Sequence, residues 1–151
     1  MNDFWFDKQK NLLIYPSAFS SNIQQAIPEH RLINGAYIAI PRTLRNSQVL
    51  RHFNYPVAPL VTDETYDFPI EPGKTPLPHQ KVYANFQVLH PRCMNLGDPG
   101  TMKTLSTLWA FDFLRRRFPD GTFRALVIAP LTLLETVWAN AFFRNFLDRM
   151  S

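Results

Sequence analysis

The sequence predicts an α/β fold in which a parallel sheet is flanked by helices and preceded by a small α+β region. Two apolar runs, residues 93–96 and residues 125–129, each precede a helix candidate. The order strand, helix, strand, helix is typical of a parallel sheet with right-handed crossovers. The second run is apolar throughout, as expected of a parallel strand that is covered on both faces.

Three helix candidates accompany these runs. Residues 104–117 contain no Gly or Pro and leave little polar face, which is typical of a helix packed inside a larger body. A second helix is predicted to begin at Thr132, because Thr132 and Glu135 have the spacing of a capping box. A third helix opens within residues 76–80, where proline suits the first turn, and ends at His90.

The segment between the first apolar run and its helix is nearly a phosphate-binding loop. It consists of Gly97, Asp98, Pro99, Gly100, Thr101, Met102, Lys103 and Thr104. Three of the four fixed positions of the template match, and Met102 replaces the second glycine. Such a loop directs backbone N–H groups toward a polyphosphate at a helix N-terminus. Lys103 would neutralise the β and γ phosphates and the Thr104 hydroxyl would bind Mg²⁺, whereas an ordinary turn before a helix is the alternative.

Three ordered motifs together resemble the opening of a Swi/Snf-type superfamily 2 helicase-like ATPase, in the version carried by bacteriophages. They are Leu-Pro-His-Gln at residues 77–80, the loop at residues 96–104, and the strand and helix at residues 126–135 with Trp138. The resemblance covers about residues 66–147. It implies the first half of a RecA-like P-loop lobe, and with it an ATP-dependent motor that moves along duplex DNA.

The resemblance also implies roles for individual residues, with ATP and Mg²⁺ as cofactors. Gln80 would read the adenine edge of ATP, the loop would bind the phosphates, and Thr104 would hold Mg²⁺. Thr132 would contact a phosphate of duplex DNA through its hydroxyl or through nearby N–H groups. The residues themselves leave alternatives open. A polar residue in a first helical turn explains Gln80 as well, and a helix cap explains Thr132.

The chain ends before the acidic Asp-Glu box and the second lobe of such motors. Asp63 and Glu64 do not replace the box, because they precede the loop in chain order. We therefore expect no ATP hydrolysis by this chain alone, and we expect a C-terminal helicase lobe or a partner chain to supply the missing parts. A non-catalytic nucleotide- or DNA-binding regulatory module with a degenerate loop is the second hypothesis. A P-loop kinase of nucleoside phosphates is the third, and it leaves the glutamine motif without a role.

The sequence divides into three predicted regions. A small α+β region occupies residues 1–54, a proline-rich connector occupies residues 55–76, and the partial RecA-like lobe occupies residues 77–151. Within the first region, strands are predicted at residues 12–15 and 36–40, and helices at residues 21–27 and 43–53.

Composition and charge narrow the classes of function. The net charge of +4 and the pI of about 9.5 permit binding to nucleic acid, although a solvated face explains Arg42, Arg45 and Arg51 more simply than contact with DNA. Cys93 is predicted to be a small core residue, and the four histidines lack the spacing of metal ligands. No apolar stretch has the length of a membrane span, and the N-terminus lacks the features of a signal peptide. We therefore expect no membrane partner and a cytoplasmic location, in the host cell if the gene belongs to a phage.

Overall fold

The computed structural model separates the chain into a first unit, residues 1–59, and a second unit, residues 60–151. The structure describes residues 4–17, 21–97, 100–118 and 123–149. The first unit is built on a sheet, and the second unit is built on helices.

A four-stranded antiparallel sheet with the order β1-β2-β4-β3 forms the centre of the first unit. Its strands are β1 (Trp5–Asp7), β2 (Leu12–Pro16), β3 (Arg31–Ile33) and β4 (Tyr37–Pro41). Leu13 lies opposite Ile40, and Tyr15 lies opposite Ile38. Because side chains alternate between the two faces of a strand, these four residues point to one face, where they form the buried core.

Two helices complete this core, α1 (Ser21–Ala26) and α2 (Leu44–His52). Ile23, Ile27 and Leu50 pack into the same apolar cluster as the central strands. α2 begins after Thr43, whose side-chain oxygen accepts a hydrogen bond from the backbone N–H of Asn46 at 3.1 Å. The two strands and two helices predicted in this region are confirmed within one or two residues at each end. The edge strands β1 and β3 were not predicted.

The second unit contains α3 (Pro78–Leu89), α4 (Lys103–Arg115) and a C-terminal helical segment, residues 131–149. This segment consists of α5 (Leu131–Leu133), a π-helical stretch (Leu134–Ala139), α6 (Asn140–Phe146) and a 3₁₀ turn (Leu147–Arg149). α3 packs against α4, and α4 packs against α6. None of the helices in the described part of the chain is long and apolar enough to cross a membrane.

The predicted parallel sheet is wrong, and the RecA-like lobe that depends on it is wrong as well. Neither residues 93–96 nor residues 125–129 form a strand, and the described residues contain no parallel pair. Leu126 and Ile128 are 85% and 88% exposed instead of covered on both faces, and Cys93 is exposed too. An apolar run becomes a strand only where a neighbouring strand satisfies its backbone N–H and C=O groups. The second unit offers no such neighbour among its described residues.

The predicted capping box of Thr132 and Glu135 is also wrong. The helix begins one residue earlier, at Leu131, and Pro130 occupies the cap position without a side-chain hydrogen bond to the first turn. Proline fixes its own φ near the value that a helix start requires. A helix that begins directly after Pro130 therefore does not need the Thr132 hydroxyl as a cap.

Residues 60–76 run along the helices of the second unit and are bonded to them through side chains. The side-chain oxygen of Asn85 on α3 accepts hydrogen bonds from the backbone N–H groups of Leu60 and Val61, at 2.7 and 3.2 Å. The indole N–H of Trp109 on α4 donates to the carbonyl of Pro69 at 2.7 Å. These bonds satisfy backbone groups that a loop over an apolar surface would otherwise leave without partners.

A charge cluster around Asp112 joins three separate parts of the second unit. Asp112 is 5% exposed, and its carboxylate accepts a hydrogen bond from the Tyr66 hydroxyl at 2.9 Å. The Arg149 guanidinium donates to both Asp112 and Asp67, and Arg116 lies 3.3 Å from Asp112. Burial, together with the negative charge of Asp112, raises the pKa of the Tyr66 hydroxyl, which therefore stays a donor.

The protonation of Asp67 makes the stability of this cluster depend on pH. Partial burial alone would raise the pKa of Asp67, but its hydrogen bond with Arg149 holds that pKa below the ordinary value of 3.8. A carboxyl whose pKa is lowered by folding stabilises the fold above its ordinary pKa and loses that contribution as the pH falls below it. The cluster should therefore weaken only at pH below about 4.

We predict that Arg149→Met lowers the free energy of unfolding by about 3 kcal/mol, because it leaves the Asp112 carboxylate buried beside fewer positive charges. Arg144→Met is the matched control, since Arg144 is an exposed arginine on the same helical segment and should change stability by less than about 0.5 kcal/mol. Urea unfolding followed by circular dichroism measures both values. Equal losses in the two variants would show that the cluster contributes no more than a surface charge.

Candidate nucleotide site

The predicted phosphate loop leads directly into α4, which begins at Lys103. Gly100 and Met102 both have left-handed backbone, with φ of 83° and 53°, and these two residues turn the chain into the helix. Glycine adopts such values freely, whereas a residue with a side chain meets steric resistance. Asp98 and Pro99, which the sequence assigns to the same loop, lie outside the described residues.

Lys103 folds back into the loop. Its ammonium donates a hydrogen bond to the carbonyl of Gly97 at 2.5 Å, and the N–H of Gly97 donates to the side-chain oxygen of Asn95 at 3.1 Å. A Cβ atom added at Gly97 would lie 2.9 Å from the Tyr83 hydroxyl and 3.2 Å from the Thr101 hydroxyl. Gly97 is therefore the point at which the backbone comes close to several polar side chains, and a larger residue would crowd them.

The first turn of α4 presents backbone donors next to this ammonium. In any α-helix the first N–H groups have no intrahelical acceptor, and here the first such bond runs from Ser106 to the carbonyl of Met102. The N–H groups of Lys103, Thr104 and Leu105 precede it. A helix N-terminus with an adjacent lysine concentrates positive charge, which favours an anion such as phosphate.

Thr104 lines a cavity of about 290 Å³ that lies between the start of α4 and the C-terminal helical segment. Polar and charged side chains also line it, among them Glu71, Lys74, Thr136 and Arg144. The Lys74 ammonium lies 2.6 Å from the Glu71 carboxylate and, through this hydrogen bond, holds the pKa of Glu71 below its ordinary value. The cavity thus combines hydroxyl groups with two cations and one anion.

Sequence reasoning missed Lys74, Thr136 and Arg144 as members of this cavity. One signal was present, because Thr136, Asn140 and Arg144 are spaced by four residues and so share a helix face. The other residue, Lys74, lies in the segment before α3, and only the folded chain brings it to α4. No local pattern indicates that contact.

Gln80, the predicted reader of adenine, occupies the first turn of α3 and is 1% exposed. Its side-chain oxygen accepts a hydrogen bond from the backbone N–H of Leu77 at 2.9 Å, which is the role of a polar residue at a helix start. Its side-chain nitrogen has no hydrogen-bond partner among the described residues. Gln80 does not line the cavity at Thr104, so the structure does not bring these two predicted site residues together.

Thr132, the predicted DNA contact, is an exposed residue in α5. Its carbonyl accepts a hydrogen bond from the Thr136 hydroxyl, and its own hydroxyl caps nothing. It also lies outside the lining of the cavity at Thr104. The contact with a DNA phosphate stays a prediction.

The arginines of the first unit have local partners. The Arg42 guanidinium lies 4.7 Å from the centre of the Phe6 ring and donates to the carbonyl of Pro59. Arg45 lies 3.7 Å from the carboxylate of Glu29. Two of the three arginines of the predicted basic helix are thus engaged within their own unit, and duplex DNA as a partner stays a prediction.

Metal binding by protein side chains alone finds no support in the described part of the chain. No group of three His, Cys, Asp or Glu side chains lies close enough there to hold a metal ion. Mg²⁺ in nucleotide sites is held largely by phosphate oxygens and water, with few protein ligands. Thr104 is the residue in this loop that would supply one.

We predict that Met102→Gly is more stable than Met102→Ala by about 1 kcal/mol, because only the alanine keeps a Cβ in left-handed backbone. Both changes remove the same half-exposed side chain, so the difference isolates the backbone effect. Thermal unfolding of the two variants measures it. An alanine variant as stable as the glycine variant would mean that residue 102 does not hold this conformation in solution.

No family model, characterised protein or solved structure matches this chain at a significant level. The resemblance to helicase-like ATPases therefore stays an interpretation of three short motifs. The geometry at the start of α4 is what supports a nucleotide site.

Proposed function

We propose that this chain is a nucleotide-binding module that holds ATP with Mg²⁺ at residues 97–104 and the first turn of α4. The observation that carries the proposal is the position of Lys103. Its ammonium lies inside the loop, at the carbonyl of Gly97, directly beside the first turn of α4. The function is of the non-catalytic, regulatory type, and movement along DNA stays a prediction from the resemblance.

Phosphate binding requires a simple exchange of hydrogen-bond partners. In the structure the Lys103 ammonium donates a hydrogen bond to the carbonyl of Gly97. A phosphate oxygen is a stronger acceptor because the bond is charge-assisted on both sides. The ammonium moves from the carbonyl to the β and γ phosphates, and the N–H groups of the first turn take the remaining oxygens.

In this proposal the Thr104 hydroxyl, one residue further along the helix, takes Mg²⁺; that Thr104 lines the cavity described above supports this role. Arg144 adds positive potential to that cavity, whereas the charge of Lys74 is balanced by Glu71. The phosphates therefore account for most of the binding energy in this proposal.

Base recognition is weaker than phosphate recognition in this arrangement. The Gln80 nitrogen is a donor that suits an acceptor nitrogen of adenine, yet the side chain is buried and already bonded to Leu77. Adenine reaches it only if the first turn of α3 moves. We therefore expect a strong preference for triphosphate over diphosphate and only a small preference for ATP over GTP.

The test is a titration with a fluorescent ATP analogue in the presence of Mg²⁺, followed by competition with ATP, GTP and ADP. Lys103→Met should weaken binding by about tenfold, the value of one lost charge-assisted bond. Lys10→Met removes the same charge from an exposed position in the first unit and should leave the affinity unchanged. ATP and GTP should compete within about threefold of each other.

Two outcomes contradict the proposal. One is equal binding by the Lys103 and Lys10 variants, which would show that only net charge attracts the nucleotide. The other is the absence of saturable binding by the unaltered chain. Competition by ATP that exceeds competition by GTP more than tenfold would instead show that Gln80 or another group reads the base.

A further inference from the structure

A second cavity lies between α4 and α6 and shares no lining residue with the cavity at Thr104. Its volume is about 210 Å³. Its apolar wall consists of Leu108 and Phe111 from α4 and of Phe142 and Phe146 from α6. The rings of Phe142 and Phe146 are nearly parallel, at 10° with centres 5.9 Å apart, so the two rings stack on each other beside the cavity.

The size and lining of this cavity suit a single aromatic ring. A cavity of about 150 Å³ lined by Leu, Ile and Phe is known to bind benzene, and this one has room for a ring with a short substituent.

The polar end of the cavity carries excess positive charge. Asp112, Arg115 and Arg149 line this end. Arg149 is already bonded to Asp112 and Asp67, and Arg116 lies beside the same two carboxylates. Three arginines thus meet two carboxylates, which leaves one positive charge in excess.

Arg115 carries this excess positive charge. Its guanidinium donates to the carbonyl of Arg149 at 3.1 Å, and no carboxylate of the described residues lies within ion-pair distance of it. A guanidinium is planar and binds a carboxylate through two parallel N–H···O bonds. The remaining donors of Arg115 therefore suit a carboxylate that enters together with an aromatic ring.

We propose that this cavity binds a small aromatic monocarboxylate, with the ring against Phe142 and Phe146 and the carboxylate on Arg115. The apolar wall selects the ring, and Arg115 selects the negative charge. This site is independent of the nucleotide site, since it uses the opposite end of α4.

The experiment is a ¹H–¹⁵N NMR titration of the full chain with phenylacetate, benzyl alcohol and acetate as probes. Phenylacetate should shift the resonances of residues that line the cavity and saturate. Benzyl alcohol has the ring without the charge and should bind about tenfold more weakly, and acetate should shift nothing in the cavity. Because these comparisons use the unaltered chain, they do not depend on the folding of any variant.

Arg115→Met should reduce the affinity for phenylacetate to that for benzyl alcohol, and Arg115→Lys should give an intermediate value because it keeps the charge but loses the planar fork. Arg92→Met, at an exposed arginine of the same unit, is the control and should bind phenylacetate as the unaltered chain does. Phenylacetate binding that is unaffected by Arg115→Met, or equal binding of phenylacetate and benzyl alcohol, would reduce the site to an apolar pocket and overturn the proposal. The absence of saturable binding would overturn it as well.

Discussion

The buried carboxylate of Asp112 is the constraint on which the second unit depends. A sheet would connect distant segments through backbone hydrogen bonds, but the described part of this unit has none. Asp112 connects distant segments instead, because its carboxylate accepts hydrogen bonds from Tyr66, in the segment before α3, and from Arg149, in the 3₁₀ turn that follows α6. A buried charge is costly unless it is paired and hydrogen-bonded, so these partners must stay in place for the helix to stay buried.

This arrangement holds α4 through its second half. Trp109 and Phe113 are fully buried, and the Trp109 indole is bonded to Pro69. The first turn, by contrast, adjoins the loop at Gly97 on one side and the polar cavity at Thr104 on the other. A rigid helix is a suitable support for an anion site at its N-terminus, because the donors keep their directions when the anion arrives.

Met102, at the start of this helix, has a left-handed backbone conformation that is strained for a residue with a side chain. A left-handed residue with a side chain is destabilising by about 1 kcal/mol or more, so the surrounding contacts have to maintain it. The bond between Lys103 and Gly97 closes the loop around it. Strain of this kind at a loop that must change partners is compatible with a binding site, since part of the strain is released when the loop moves.

Local features were predictable from the sequence, and pairings between distant segments were not. α3 follows from apolar periodicity with proline and histidine at its ends, and α4 follows from a largely apolar run without Gly or Pro. β2 and β4 follow from short apolar runs. The run at residues 125–129 has the same composition as a buried strand, but composition does not reveal whether a partner strand exists. The motif likewise located Lys103 at a helix start, whereas the cavity beside Thr104 depends on contacts that only the folded chain creates.

Amide hydrogen exchange with and without Mg·ATP tests the central claim, a phosphate site at the start of α4 in a unit that lacks a parallel sheet. We expect the amides of residues 125–129 to exchange almost as fast as in an unfolded chain, while the amide of Trp109 is strongly protected. ATP should slow exchange at residues 103–105 and leave residues 125–129 unchanged. Protection of residues 125–129 equal to that of Trp109, or no effect of ATP at residues 103–105, would contradict it.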